Sequence, residues 1–301
     1  MTFPTVQVSQ PARNITEQQK ASLPDPNPPY IAATHKGNGL RRYYAMLQQR
    51  LLKQGKLRTS ASGPDMTYSS GDLVRDFDRI ALHSEYISSG RQLVSVNAPT
   101  VLKRWSDPIN AFTVFSASVP PSQRDAARRN VQAMTQKLSR ASGHPVRMGT
   151  RDNANLFLLF IAEEDRAAYA QAMQAAIPEI DPFTLSTVQS MPRNQLCLAI
   201  TFPKSKGSPY IGKTLVVIRA ENPGLLRQSC IHEEMAQAMG LPNDSFTARP
   251  SIFNDDEEFA LLTKHDEQLL QILYDRRLKP GMTRQEALPI VNQIVSDLNG
   301  R

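Results

Sequence analysis

This chain of 301 residues has little of several things on which particular functions depend. It has only two cysteines, Cys197 and Cys230, which excludes a disulfide-built scaffold. No run of 18 or more apolar residues occurs, so no segment reads as a membrane-spanning helix. There is no Walker-type phosphate loop, no dinucleotide fingerprint and no Gly-x-Ser-x-Gly. The usual GTPase and serine-hydrolase classes are thereby excluded. Acid is missing from residues 36–58, which hold Lys36, Arg41, Arg42, Arg50, Lys53, Lys56 and Arg58. That segment sums to +7, the formal charge of the whole chain, so the remainder is formally neutral. A basic surface spread over the entire protein is excluded with it. With 40% apolar and 21% charged residues the chain is not fully disordered, and its length suits one large domain or two small ones.

Residues 1–35 read as a flexible tail or linker, with six prolines in the first thirty. No basic and apolar leader opens the chain, which predicts a cytosolic protein or one whose leader has been removed. Residues 36–58 form a basic amphipathic segment, helical over 39–54. Leu40, Tyr43, Tyr44, Leu47 and Leu51 share one face there and the basic residues take the others. It reads as a solvated helix docked by its Leu/Tyr face, or as a surface for anionic lipid or an envelope polymer. No nucleic-acid motif accompanies it, so nucleic acid is not an expected partner.

A second amphipathic helix is predicted over Asp72–Ile87. From residue 90 the pattern becomes α/β. Strands are expected at 109–118, 156–162, 195–202 and 213–219, and helices at 120–142, 166–177, 222–239, 263–275 and 283–298. The fold class is α/β to α+β, with a mixed sheet of four or five strands and a helical C-terminal half.

The helix at 222–239 carries the densest chemistry. Asn222 is suited to its N-cap, Pro223 to its first position, and Gly240 stops it. Leu226, Cys230, Glu233 and Gln237 share one stripe, opposite Ile231, Met235, Ala238 and Met239. A helix apolar on two sides is central, and carboxylates on it must be paired, hydrogen-bonded or bound to metal. His232 has Ala236 four residues on, so it has no ligand partner and reads as a surface or helix-side residue. His35, His83, His144 and His265 stand in separate segments and receive no role. Cys197 and Cys230 are either bonded to each other or two buried thiols.

The text from 233 to 244 is Glu-Glu-Met-Ala-Gln-Ala-Met-Gly-Leu-Pro-Asn-Asp. It resembles, in frame, the His-Glu-x-x-His-x-x-Gly-x-x-His motif of metzincin metallopeptidases. Glu233, Gln237 and Asn243 lie at the three ligand positions, Glu234 at the general-base position and Gly240 at the turn. All three histidines are replaced. Ser251–Asp255 stands where that family has a methionine turn, with Phe253 in place of Met. The segment from Thr263 through Asp266 to Tyr274 looks like the last helix of matrixin-type peptidases, and Thr263 and Asp266 form a capping pair. With Arg104-Trp105 and residues 73–86, these blocks also resemble a bacterial family of unknown function that has this degenerate motif and is often exported or lipid-anchored.

The resemblance implies a metzincin-like domain over 59–301, a Cys197–Cys230 disulfide, and a periplasmic or outer-envelope location with the leader absent. It also implies structural roles for Gly240, Phe253, Asp266 and Tyr274, and a cleft that takes a protein or peptide partner. One carboxylate and two amides make a poor zinc site, and calcium wants six to eight oxygens, for which Asp244, Asp255 and Asp256 would have to be recruited. Two functions therefore stand. One is a non-catalytic binding or scaffold protein, with Glu233, Gln237 and Asn243 in a buried polar cluster. The other is a metal-dependent hydrolase holding zinc or calcium, with Glu234 as base.

Overall fold

The computed structural model describes residues 5–7, 24–60, 66–89, 92–176, 180, 182–254 and 256–300. Most of the expected tail, residues 61–65, Ile177 and Asp255 lie outside them. Seven strands form one sheet: β1 (Thr5–Gln7), β4 (Arg104–Trp105), β5 (Ile109–Phe115), β6 (Val146–Met148), β7 (Leu156–Ile161), β8 (Cys197–Pro203) and β9 (Tyr210–Arg219). Their order is β1–β8–β9–β7–β5–β6, with β4 also against β9. Every pairing is parallel except β8 with β9. The expected four long strands are present. The sheet exceeds five strands because β1, β4 and β6 add two or three residues each, too few to leave a period in the sequence.

A second correction concerns 72–87. The helix there is α2 (Ser70–Ala81), opened by a Ser69–Asp72 capping box, and β2 (His83–Ser89) follows at once in a hairpin with β3 (Gln92–Pro99). Helical spacing continued the pattern into residues that pair with a strand instead. The remaining helices are α1 (His35–Lys53), α3 (Pro121–Ser142), α4 (Arg166–Ala176), α5 (Pro182–Gln189), α6 (Gly224–Gln237), α7 (Lys264–Tyr274) and α8 (Arg284–Asn299). Helix α5 was not expected. Gly143 ends α3 in the left-handed conformation, as its place in the sequence implied. No helix among the described residues is long and apolar enough to cross a membrane.

The sheet is covered on both faces. Leu215 and Val217 of β9 and Leu198, Ile200 and Phe202 of β8 face Tyr169 and Met173 of α4 and Leu185 and Val188 of α5. Val216 and Ile218, with Cys197 and Ala199, face the larger core that holds α6. Burial on both faces is why these strands read as continuous apolar runs. Helix α1 belongs to that larger core through Leu40, Tyr44, Leu47 and Leu51, whereas Tyr43 is exposed. Its Arg41 donates to the Ser118 carbonyl (2.9 Å) and Tyr44 Oη to that of Arg193 (3.0 Å).

Candidate functional site

Eleven of the fourteen residues of α6 are buried, so its exposed backbone ends must be satisfied by protein rather than by water. Asn222 does not cap it. The N-cap position is Pro223, which has no side-chain bond to offer, and Asn222 Nδ2 donates to the Leu196 carbonyl (3.1 Å). Gln48 Oε1, from α1, accepts from the Leu225 and Leu226 amides at 2.9 and 3.1 Å. At the other end Trp105 Nε1 donates to the Ala238 carbonyl (2.7 Å) and Tyr274 Oη to that of Met239 (2.9 Å). Arg104 donates to the carbonyls of Leu273, Asp275 and Leu278, closing the end of α7, and its guanidinium lies 5.4 Å from the centroid of the Tyr274 ring. The Arg104-Trp105 and Tyr274 blocks thus terminate two helices. Cys230 is disulfide-bonded to Cys197, which joins α6 to β8 across 33 residues of chain.

The motif residues are all buried: Glu233, Glu234, Gln237 and Asn243. Gly240 turns the chain at φ +118°, with the Lys103 carbonyl so close that a Cβ would sit 2.2 Å from its oxygen. Beyond the turn, the Asn243 amide N–H donates to the Ile80 carbonyl (3.2 Å) and Asn243 Nδ2 to that of Arg79 (2.8 Å). Both carbonyls belong to the last turn of α2, so Asn243 caps that helix. Gln237 Nε2 donates to Asp244 Oδ1 (3.1 Å). Both side-chain bonds lead away from the motif stripe, one to Asp244 and one to α2. Asp256 is exposed, and its carboxylate accepts from the Glu258 amide (2.8 Å).

These residues do not fit a zinc or calcium ion. The only anionic donor at a ligand position is Glu233, and the other two positions offer only neutral amide oxygens. No group of three or more His, Cys, Asp or Glu among the described residues is arranged to hold a metal. Glu234 differs from its neighbours. It is fully buried, neither carboxylate oxygen has a hydrogen-bond partner among the described residues, and burial pushes its pKa well above the ordinary value. Burial without a partner disfavours its charged form.

Beneath the motif, Phe253 is fully buried and its carbonyl accepts from the Ser245 amide (2.8 Å). Asp266 holds this turn to α7. It accepts from Ser251 Oγ (2.5 Å) and the Ile252 amide (3.2 Å) while completing the capping box with Thr263. Sequence reasoning gave His265 no role and did not single out Asp76. The two are fully buried with His265 Nε2 3.2 Å from Asp76 Oδ2, and Asp266 Oδ1 is 3.7 Å from Nδ1. The signal was present: Asp76 falls on the apolar stripe of Leu73, Phe77 and Ile80. His232 is also buried rather than superficial, and its Nδ1 accepts from the Leu262 amide (3.0 Å). Burial, with Lys137 nearby, takes its pKa down to about 4.

Burial opposes charge on His265, but Asp266 and Asp76 outweigh it and raise its pKa to about 9. A raised folded-state value stabilises fully below the unfolded pKa near 6.5, and this contribution is lost as pH climbs to about 9. Asp76→Asn is therefore expected to cost roughly 1–3 kcal/mol near pH 6, with the gap to the parent closing toward pH 9. Urea titrations across that range check this, and a gap that widened with pH would reverse the assignment.

A family model described as "Protein of unknown function (DUF2927)" matches residues 70–293. No curated protein and no solved structure gives a significant match. The match takes in α2 through most of α8, and with them the motif and every residue that closes the C-terminal end of α6. Helix α1, which supplies Gln48, precedes it.

Proposed function

We propose that this chain, which belongs to the DUF2927 family, is a non-catalytic binding or scaffold protein of an oxidising compartment outside the cytoplasm, built on a degenerate metallopeptidase-like motif. The observation that carries this reading is the employment of the motif side chains. Asn243 caps α2 and Gln237 holds Asp244, so groups at two ligand positions join the motif helix and its following turn to the rest of the core. A buried polar cluster of this kind ties elements together when its members find partners. Glu234 is sealed from solvent, so no water reaches it to give up a proton, which also favours a non-catalytic role. The disulfide favours a periplasmic or envelope location, because such bonds persist where the surroundings are oxidising.

On this reading a peptide partner would add beside β1, the strand at this end of the sheet. Strand β8 is paired on one side by β9, and on the other the short β1 lies parallel to it at Ala199, Ile200 and Thr201. Addition of an extended segment to such an edge is a common mode of peptide recognition. Elemental analysis of protein purified without chelator, followed by zinc and calcium titration, tests the central claim. The expected result is no stoichiometric metal and no cleavage of an unstructured protein substrate. Stoichiometric metal that disappears in Glu233→Ala and Gln237→Ala would establish the hydrolase instead.

A further inference from the structure

The outward face of α1 is an amphiphilic surface with no occupant among the described residues. Its inward stripe, Leu40, Tyr44, Leu47 and Leu51, is buried in the core. Arg42, Met46, Gln49 and Lys53 follow one another at helical spacing on the opposite side, and Arg50 flanks them. All five are exposed. Lys36 is 3.1 Å from Glu163 and Arg41 is turned to backbone carbonyls, so neither is available to a partner. Arg42, Arg50 and Lys53 enter no ion pair among the described residues, and α1 itself contains no acid.

The second observation is apolar. Of the seven large hydrophobic side chains exposed among the described residues, five fall between residues 30 and 52: Tyr30, Ile31, Tyr43, Met46 and Leu52. Met46 is 66% exposed in the middle of the basic stripe. A helix kept only for solubility would carry polar residues there. Cations with no counter-charge among the described residues, set around an exposed apolar side chain at Met46, match a surface that offers negative headgroups above an apolar layer. A nucleic acid would answer the charge but not the apolar groups.

We propose that α1 docks the protein on an anionic lipid surface, with Arg42, Arg50 and Lys53 meeting headgroups and Met46 and Leu52 entering the interface. This does not depend on the non-catalytic reading of the motif. The seven-stranded sheet and buried α6 would then lie behind the docked helix, tied to it by Gln48 and the Leu/Tyr face.

The test is sedimentation of the full chain with vesicles of phosphatidylcholine alone, or of phosphatidylcholine mixed with phosphatidylglycerol. Binding is expected to the mixed vesicles only, and to weaken as salt is raised. The R42E/R50E/K53E variant should bind roughly 100-fold less tightly, at about 1 kcal/mol or more per reversed charge. Met46→Ser with Leu52→Ser, at unchanged charge, should lose about tenfold. A control with the same charge change placed elsewhere, R129E/R140E/K206E, should stay within about threefold of the parent. Unaltered thermal melts show that these exposed substitutions leave the fold intact. The proposal fails if phosphatidylglycerol makes no difference, if the control loses binding equally, or if short duplex DNA binds and vesicles do not.

Discussion

Gly240→Ala is expected to destabilise the protein by about 3 kcal/mol or more, while Gly143→Ala costs only about 1 kcal/mol. Both glycines have positive φ, +118° and +69°. The surroundings separate them. A Cβ at Gly143 would meet nothing within 4 Å, so only the conformational cost is felt. A Cβ at Gly240 would lie 2.2 Å from the Lys103 carbonyl oxygen and 3.3 Å from Leu273 Cδ2. A backbone atom beside Trp105 cannot yield without moving the indole that closes α6. The chain would then have to shift at the turn that delivers Asn243 to α2. Urea unfolding of the two variants checks this, and equal losses would show that the close approach of Lys103 has no energetic weight.

Removing the disulfide is the second large effect. Cys197→Ala with Cys230→Ala should cost about 3–4 kcal/mol, because the bond closes a loop of 33 residues in the unfolded chain. The same loss should follow from reductant added to the parent, and reductant should do nothing further to the double variant. Cys230 stands one turn before Glu233 and Glu234, so the bond also sets the distance of the motif stripe from β8. Unfolding in guanidinium with and without reductant measures both. A parent protein indifferent to reductant, with two thiols detectable by mass, would remove the argument for an oxidising compartment.

Much of the candidate site was legible before any coordinates. The 222–239 helix, the Gly240 stop and the Thr263–Asp266 capping pair are written in adjacent residues, and local signals of this kind do not need the rest of the chain. The departure from histidine at three positions was equally plain. The partners of those positions were not. Asn243 answers carbonyls at 79 and 80, and the N-terminus of α6 is satisfied by Gln48, 177 residues earlier. Asp76 and His265 belong to different helices, and neither residue announces the other. His232 looked superficial because a lone histidine has no period, and only the loop at Leu262 shows that it is covered.

Residues close in sequence by themselves determined the amphipathic helices, the doubly buried strands, the segregation of all net charge into 36–58 and the loss of a histidine ligand set. Each follows from periodicity or from residue chemistry, which act over a turn of helix or a strand's width. Tertiary structure alone decided the strand order, the meeting of Cys197 with Cys230, the commitment of Gln237 and Asn243 to structural bonds, and the isolation of Glu234. The physical reason is that buried polar groups must be satisfied wherever the fold brings a donor or an acceptor, and that meeting is set by packing between distant segments. The scarcity of cysteine and the absence of histidine from the motif's ligand positions excluded whole classes of chemistry. It took the packing around α6 to show what the substituted side chains do in their place.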